Sequence, residues 1–452
     1  EYGGDGVRSL SVPERATIAN MGAEMGVTSS VFPSDQNTLR FLRAQAREKD
    51  WVELCADPDA GYERVIDVDL SQIEPLVAVP HSPGNVRRVS EVEGIAVDQV
   101  CIGSCTNSSY KDLMTAARIL KGKTVHPRVS LGIAPGSRQI LLALAQEGAL
   151  TDLIRAGARI KECACTFCIG NEFSPRSGGV SVRTSNRNFE GRSGTRDAQV
   201  YLTSVETAVA AAIKGELVDP RSLEMDYPRA QEPDLYLVDQ SMFLFPAPGK
   251  REVSIFRGPN IGDPPRNEPM PHSLDGEVMI KLGDKVTTDH ITPAGPRLKY
   301  RSNIAKYSEF VFENLDPSFP RRCMENKHKQ IHNIIVAGES YGQGSSREHA
   351  AMCPMYLGIK AVIAKSFERI HMANLVNFGI LPLVFKDASE YEAVQKGHRL
   401  CSGAWREALA HGRPILIRNQ DTGRSFECTY SLSDAQRRVI LAGGLLNQMT
   451  SG

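Results

Sequence analysis

The chain has 452 residues with 53 Lys or Arg and 53 Asp or Glu, so no sequence-wide charge gathers nucleic acid or an anionic membrane. That length exceeds what one hydrophobic core usually spans and predicts two or three domains. Ten cysteines are too few for a disulfide scaffold of this size, and no run of eighteen apolar residues is present to cross a bilayer.

The chain opens on Glu1 inside dense, patterned sequence, so a preceding N-terminal part is expected. Ser11, Pro13 and Gly26 bracket a predicted helix over 12–26, and 35–48 reads as a second, charged helix. ERVIDVDL, at 63–70, alternates like a strand. From residue 97 the pattern turns α/β. VDQVCIG reads as a buried strand, SSYKDLMTAARIL as a helix, RVSLGIAPG as a strand and SRQILLALAQEGAL as a helix, which implies parallel pairing with helices on the faces. Seven prolines fall between Pro246 and Pro271, and 218–275 reads as a linker. Beyond it EVMIKLGDKV, NIIVAGES, AVIAKSF and ILPLVF read as strands, and RPILIRNQDTGRSFECTY as a hairpin.

The cysteines raise the first chemical question. Cys165 and Cys168 form a CxxC, and Cys105 lies far upstream between a predicted strand and helix, where backbone N–H groups and the helix dipole favour a thiolate. The spacing leaves open a redox pair, half a zinc site, inert buried thiols, or three soft ligands to an iron–sulfur cluster. Zinc would require a fourth ligand such as Cys101 or Cys163. Cys101 sits in an apolar run that suits core packing, and Cys163 alternates with Cys165 and faces the other way. The seven remaining cysteines outside the 163–168 run suit a reducing compartment, either cytoplasmic or, in a eukaryote, the mitochondrial matrix.

Six segments settle the reading. CIGSCTNSSYKDL, CACTFCIGN, TSNRNFEGRSG, TTDHITPAGPRLKYR, GESYGQGSSREHA and RATIANMGAEMG resemble, in order of the family, the motifs of the aconitase hydro-lyases over nearly the whole chain. The resemblance implies an α/β fold with a three-layer parallel-sheet core of the aconitase type, joined by a linker to a C-terminal swivelling α/β domain. Residues 1–85 would be the remainder of a core domain, 86–217 the cluster-binding domain, 218–275 the linker and 276–452 the swivel domain, free to close over the site. Two departures stand out. Thr166-Phe167 replaces the Gly-Pro usual between the paired cysteines, and the family's N-terminal domain, which would supply Asp and His acid–base partners and a substrate-binding Gln, is expected to belong to the part preceding Glu1.

The resemblance implies a four-iron four-sulfur cluster on Cys105, Cys165 and Cys168, leaving one iron free for substrate. It makes Ser345 the base, with Ser346 and Arg347 binding substrate. The plain alternative is a capping box between Ser345 and Glu348. It makes Arg187, Arg192 and Arg301 carboxylate clamps, against a default of solvated arginines, because the guanidinium fork meets a carboxylate with two hydrogen bonds. Asp289 gains a role in the charge network around substrate, where otherwise it would hold a turn beside His290. Asn20 and Glu24 lie four apart on one helix face; Asn20 would approach the cluster, the Glu24 carboxylate would hydrogen-bond to the iron-bound water or hydroxyl and trade a proton with the departing oxygen, and Asn186 would sit beside the cluster. The activity implied is aconitate hydratase on a tricarboxylate. The alternatives are dehydratases of methylcitrate, homoaconitate or isopropylmalate, or a chain without catalysis. A monomer is expected, with no membrane partner, and the absence of a basic tract disfavours nucleic acid.

Overall fold

The computed structural model describes residues 1–246, 248–249, 254–344 and 347–450. The chain divides into two compact units, Glu1–Lys250 and Arg251–Gly452.

In the first unit, helix α1 (Val12–Gly22) begins at Ser11, whose capping box with Glu14 closes its first turn. A 3₁₀ turn carries on to Met25, and Gly26 ends it with a positive φ, so the chain stops where the glycine predicts. Arg15 is buried and forks onto both oxygens of Asp35, the N-cap of α2 (Gln36–Ala44). The 63–70 stretch forms no strand. Its Val65, Ile66 and Val68 are exposed, and the alternation finds no edge to pair with.

A seven-stranded sheet follows, in spatial order β2-β1-β7-β6-β3-β4-β5. Its strands are β1 (Leu76–Ala78), β2 (Val86–Arg88), β3 (Gln99–Ile102), β4 (Ser130–Ile133), β5 (Arg159–Ile160), β6 (Val180–Arg183) and β7 (Gln199–Leu202). The five from β7 to β5 are parallel, and β1 and β2 add an antiparallel edge. Helices α3 (Tyr110–Leu120), α4 (Arg138–Gln146), α5 (Ala149–Ala156) and α6 (Val205–Lys214) connect them. Val100, Ile102, Leu131, Ile133 and Val182 turn one face toward these helices. On the other face Cys101 packs against Ala134, Phe167 and Phe173, so the third layer is the 162–175 loop rather than helices. β3 pairs with β4 on one side and β6 on the other. The chain reverses its progress across the sheet there, and the carboxyl ends of β3, β4, β5 and β6 rim the crevice where open α/β sheets bind ligands.

The second unit is built on a closed seven-stranded barrel. β8 (Leu274–Lys281), β9 (His332–Ala337), β10 (Ile359–Ala364) and β11 (Leu381–Phe385) run parallel as neighbours. β12 (Arg399–Ser402) and the hairpin β13 (Ile415–Asn419) and β14 (Ser425–Thr429) close it antiparallel. β8 therefore begins inside the stretch read as linker. Alternate residues such as Val278, Ile334, Ile363, Leu383 and Ile417 form one core with the buried Trp405. The opposite set, including Ile335 and Val362, packs with α8 (Ile304–Ser308), α9 (Phe319–His328) and α10 (His349–Tyr356), after the short helix α7 (Thr288–Ile291).

Candidate active site

The first unit brings the thiols together. Cys105 follows β3 by way of Gly103, and Cys163, Cys165 and Cys168 follow β5. Gly103 has φ +125°, and a Cβ there would lie 2.1 Å from the Ala134 carbonyl oxygen, so only glycine lets the two strand ends pass this closely. Gly170, φ +69°, likewise presses on the backbone of Ser193. Cys105 and Cys165 are exposed and Cys168 is half-buried, whereas Cys101 is buried as its apolar run predicts. Burial pushes the Cys165 thiol up, the neighbouring Cys168 and Cys105 push it further, and Arg192 pulls it down, which puts all four side chains within electrostatic reach. Arg192 donates to Cys168 Sγ at 3.2 Å, and Ser193 Oγ donates to the Cys168 carbonyl. Cys105 does not sit at a helix end. α3 starts at Tyr110, and its cap Ser109 is satisfied by Asp112, so the helix dipole, which fades within a turn, does little for this thiol.

The loop after β6 supplies the polar wall. Arg187 and Arg192 are buried, which removes the solvated reading. Arg187 Nη2 lies 2.6 Å from Glu24 Oε1, and both side chains are under a tenth exposed. Asn186 Nδ2 donates to Asn20 Oδ1 at 2.9 Å, and Thr17 Oγ1 donates to the Thr106 carbonyl, so α1 is tied to the strand ends at two levels. Glu24 thus holds an arginine, a contact its helix spacing did not reveal. Several buried polar atoms in these segments have no hydrogen-bond partner among the described residues, Thr166 Oγ1, Ser185 Oγ, Asn186 Oδ1, Arg187 Nε and Asn188 Oδ1 among them. Buried polar groups are nearly always paired, so a strip of such atoms beside three thiols suits a polar or charged guest. Among the described residues no three His, Cys, Asp or Glu side chains converge on a single metal ion. One tetrahedral ion needs thiolates only about 3.8 Å apart, from a metal–sulfur bond of ~2.3 Å. Three thiol side chains, exposed or half-buried, are the kind of soft donor an iron–sulfur cluster takes.

In the second unit Thr287 caps α7 and donates its backbone N–H to His290 Nδ1 at 3.1 Å, which fixes that nitrogen as an acceptor. Burial lowers the His290 imidazole, with Asp289 opposing. Asp289 Oδ1 lies 2.7 Å from Arg347 Nη1, which also donates to the Thr292 carbonyl. Gln343 binds back to Val286 and Thr288, pinning the loop after β9 beside α7. Gly342, φ +89°, lies where a Cβ would overlap the His371 ring. Ser345 and Ser346 lie outside the described residues. α10 begins at His349 with Glu348 as its N-cap. Arg301 is exposed at the end of a 3₁₀ turn, and its carbonyl meets His349 Nε2 at 2.9 Å. The sequence reading passed over Arg183, Ser185 and Ser193. Their signal is faint, a polar residue at alternate positions of a buried strand and its extension.

Comparison with known proteins adds a separate line. The model of the aconitase family (aconitate hydratase) matches residues 1–215, and that of the aconitase C-terminal domain matches 298–388. The mitochondrial aconitate hydratase of Saccharomyces cerevisiae is 30% identical over 99% of this chain and 66% of its own. That of Candida albicans is 31% identical over 100% of this chain and 66% of its own. The chain thus spans about two thirds of the length of these relatives. Among solved structures, a 3-isopropylmalate dehydratase from Methanocaldococcus jannaschii matches with 30% identity, 40% of this chain, 94% of that one and a TM-score of 0.31. No helix among the described residues is long and apolar enough to cross a membrane.

Proposed function

Because the chain belongs to the aconitase family, we propose that it serves a hydro-lyase which interconverts citrate and isocitrate through cis-aconitate. The observation that carries this reading is that Cys105, Cys168 and Arg192 lie within electrostatic reach of Cys165, Arg192 donating to Cys168 and Arg187 buried in the same loop as Arg192. A four-iron four-sulfur cluster held by those three cysteines supplies, when bound, a Lewis acid that eases departure of the substrate hydroxyl.

The remaining work falls to side chains. Dehydration must remove a weakly acidic C–H proton next to a carboxylate and hold the charge that develops. Arg187 and Arg192 present guanidinium groups in a dry wall, where a carboxylate is bound far more strongly than at a solvated surface. Glu24 keeps Arg187 oriented and is the group that passes a proton to or from the leaving oxygen. Asn20 and Asn186 fix each other and, through them, the approach of α1. In the second unit Ser345 is assigned the C–H proton, with Ser346, Arg347 and Arg301 on substrate carboxylates. Asp289 sets the Arg347 fork through their 2.7 Å pair.

Arg301 in its PAGPRLKYR context favours a third carboxylate and hence citrate over isopropylmalate. The test is anaerobic reconstitution followed by assay on citrate, 2-methylcitrate, homoaconitate and isopropylmalate. Preference for citrate, seen as cis-aconitate absorbance, is expected. Turnover of isopropylmalate alone would move the assignment to a sister reaction. A loaded chain that turns over none of the four would overturn it.

A further inference from the structure

Arg183 is fully buried at the end of β6, on the sheet face covered by the cysteine loop. Its Nε donates to Ser181 Oγ at 2.9 Å, and its Nη2 to Gln99 Oε1 at 3.0 Å and the Phe173 carbonyl at 3.4 Å. Its Nη1 donates to the carbonyl of Phe167, the peptide oxygen between Cys165 and Cys168. Every one of these acceptors is neutral. Arg15 and Arg187, also buried, face Asp35 and Glu24, but among the described residues no carboxylate lies within ion-pair distance of Arg183. A guanidinium does not deprotonate in a protein, so the charge stays. Burial of an ion without a counter-charge is disfavoured by several kcal/mol, and a buried charge is the rule only where something of opposite sign meets it.

The peptide that Arg183 holds through the Phe167 carbonyl carries the N–H of Cys168. We infer that Arg183 is a positioning and charge-balancing residue for the iron–sulfur centre: it anchors the Phe167–Cys168 peptide and offsets the negative charge of the thiolate-bound cluster. This rests on the reading that Cys105, Cys165 and Cys168 hold a cluster. Two effects act together. The guanidinium draws electron density onto the Phe167 carbonyl, which makes the Cys168 N–H on the same peptide a stronger donor toward sulfur. Its field also lowers the energy of the added electron when the cluster is reduced. Gln99 orients the fork from below by accepting from both Ser181 and Arg183 while donating to the Phe173 carbonyl.

The test compares wild type, Arg183→Gln and Arg183→Lys as full chains, without substrate. Three readouts are taken: iron and sulfide retained per chain after desalting, the reduction potential, and the rise in melting temperature on loading. Loss of the charge in Arg183→Gln should cut retention by about tenfold or more, shift the potential negative and shrink the rise. Arg183→Lys, which keeps the charge and loses the fork, should hold the wild-type potential while retaining less cluster. Equal potentials in all three proteins would overturn the inference and leave Arg183 as a loop staple. Should the glutamine variant not fold, the lysine variant decides: a potential that moves with retention overturns the proposal. If wild type itself takes up no cluster, the cluster reading fails together with this one, whereas a loaded wild type with unaffected variants sinks this inference alone.

Discussion

Replacing Glu24 by Gln isolates the strongest electrostatic claim made for the site. Glu24 and Arg187 meet at 2.6 Å with side chains 4% and 9% exposed. Charge centres about 4 Å apart attract by ~4 kcal/mol at an effective dielectric near 20. Desolvation of both groups offsets part of that gain, so the pair adds little net stability over an apolar pair, but removing either partner takes this counter-charge from the other while it stays buried, at about 3–5 kcal/mol. The two single variants differ in kind. Glu24→Gln leaves a guanidinium that cannot shed its charge, so its penalty should be flat between pH 5 and 8. Arg187→Met leaves a buried carboxylate whose folded pKa then rises above the ordinary value of about 4.3. The folded state binds that proton more readily, stability is gained as pH falls, and the penalty at pH 5 should be smaller than at pH 8. Urea denaturation of the wild type, both singles and the double should show the double less destabilised than the two singles summed, by about 2–4 kcal/mol. A Glu24→Gln penalty under about 1 kcal/mol, or additive singles, would refute the reasoning.

Gly103→Ala should destabilise by about 3 kcal/mol or more, since it adds backbone strain to a contact at 2.1 Å, and should lower cluster uptake because Cys105 is displaced; melting and iron analysis check both. Asp35 is held below the ordinary carboxylate range mainly by its hydrogen bond from Arg15. Its stabilisation is therefore complete above the unfolded pKa and lost as pH falls through the folded one, so Asp35→Asn should cost about 2 kcal/mol at pH 7 and progressively less below pH 4, by urea titration. Asp289→Asn should release the Arg347 fork and raise KM for citrate more than it lowers kcat if Arg347 acts in binding, which steady-state kinetics of the reconstituted enzyme reads directly.

The α/β run from Gln99 to Gln146 was legible because each element carries its own signal: buried apolar strands, and Ser109 and Ser137 as caps. The cysteine triad is proposed from spacing and family resemblance together. What escaped depends on partners distant in sequence. The stretch 63–70 alternates like a strand, but alternation says nothing of whether an edge is available. Barrel closure joins β8 to β12 across more than a hundred residues, and local pattern cannot carry such pairing. By residue type alone Arg187 and Arg192 would be solvated, as arginine usually is, and only the family resemblance set them apart; both are buried in the loop after β6. Glu24 shows the same limit: its helix position was clear, yet its partner lies 163 residues away, the difference between 187 and 24.

The central claim is that three cysteine sulfurs anchor a cluster and leave one iron for the hydroxy acid. Mössbauer spectroscopy of the anaerobically reconstituted chain, recorded with and without citrate, tests it most directly. The account predicts that citrate alters the signal of a single iron and leaves the other three unmoved. A spectrum indifferent to citrate, or four irons with equivalent protein ligation, would contradict it.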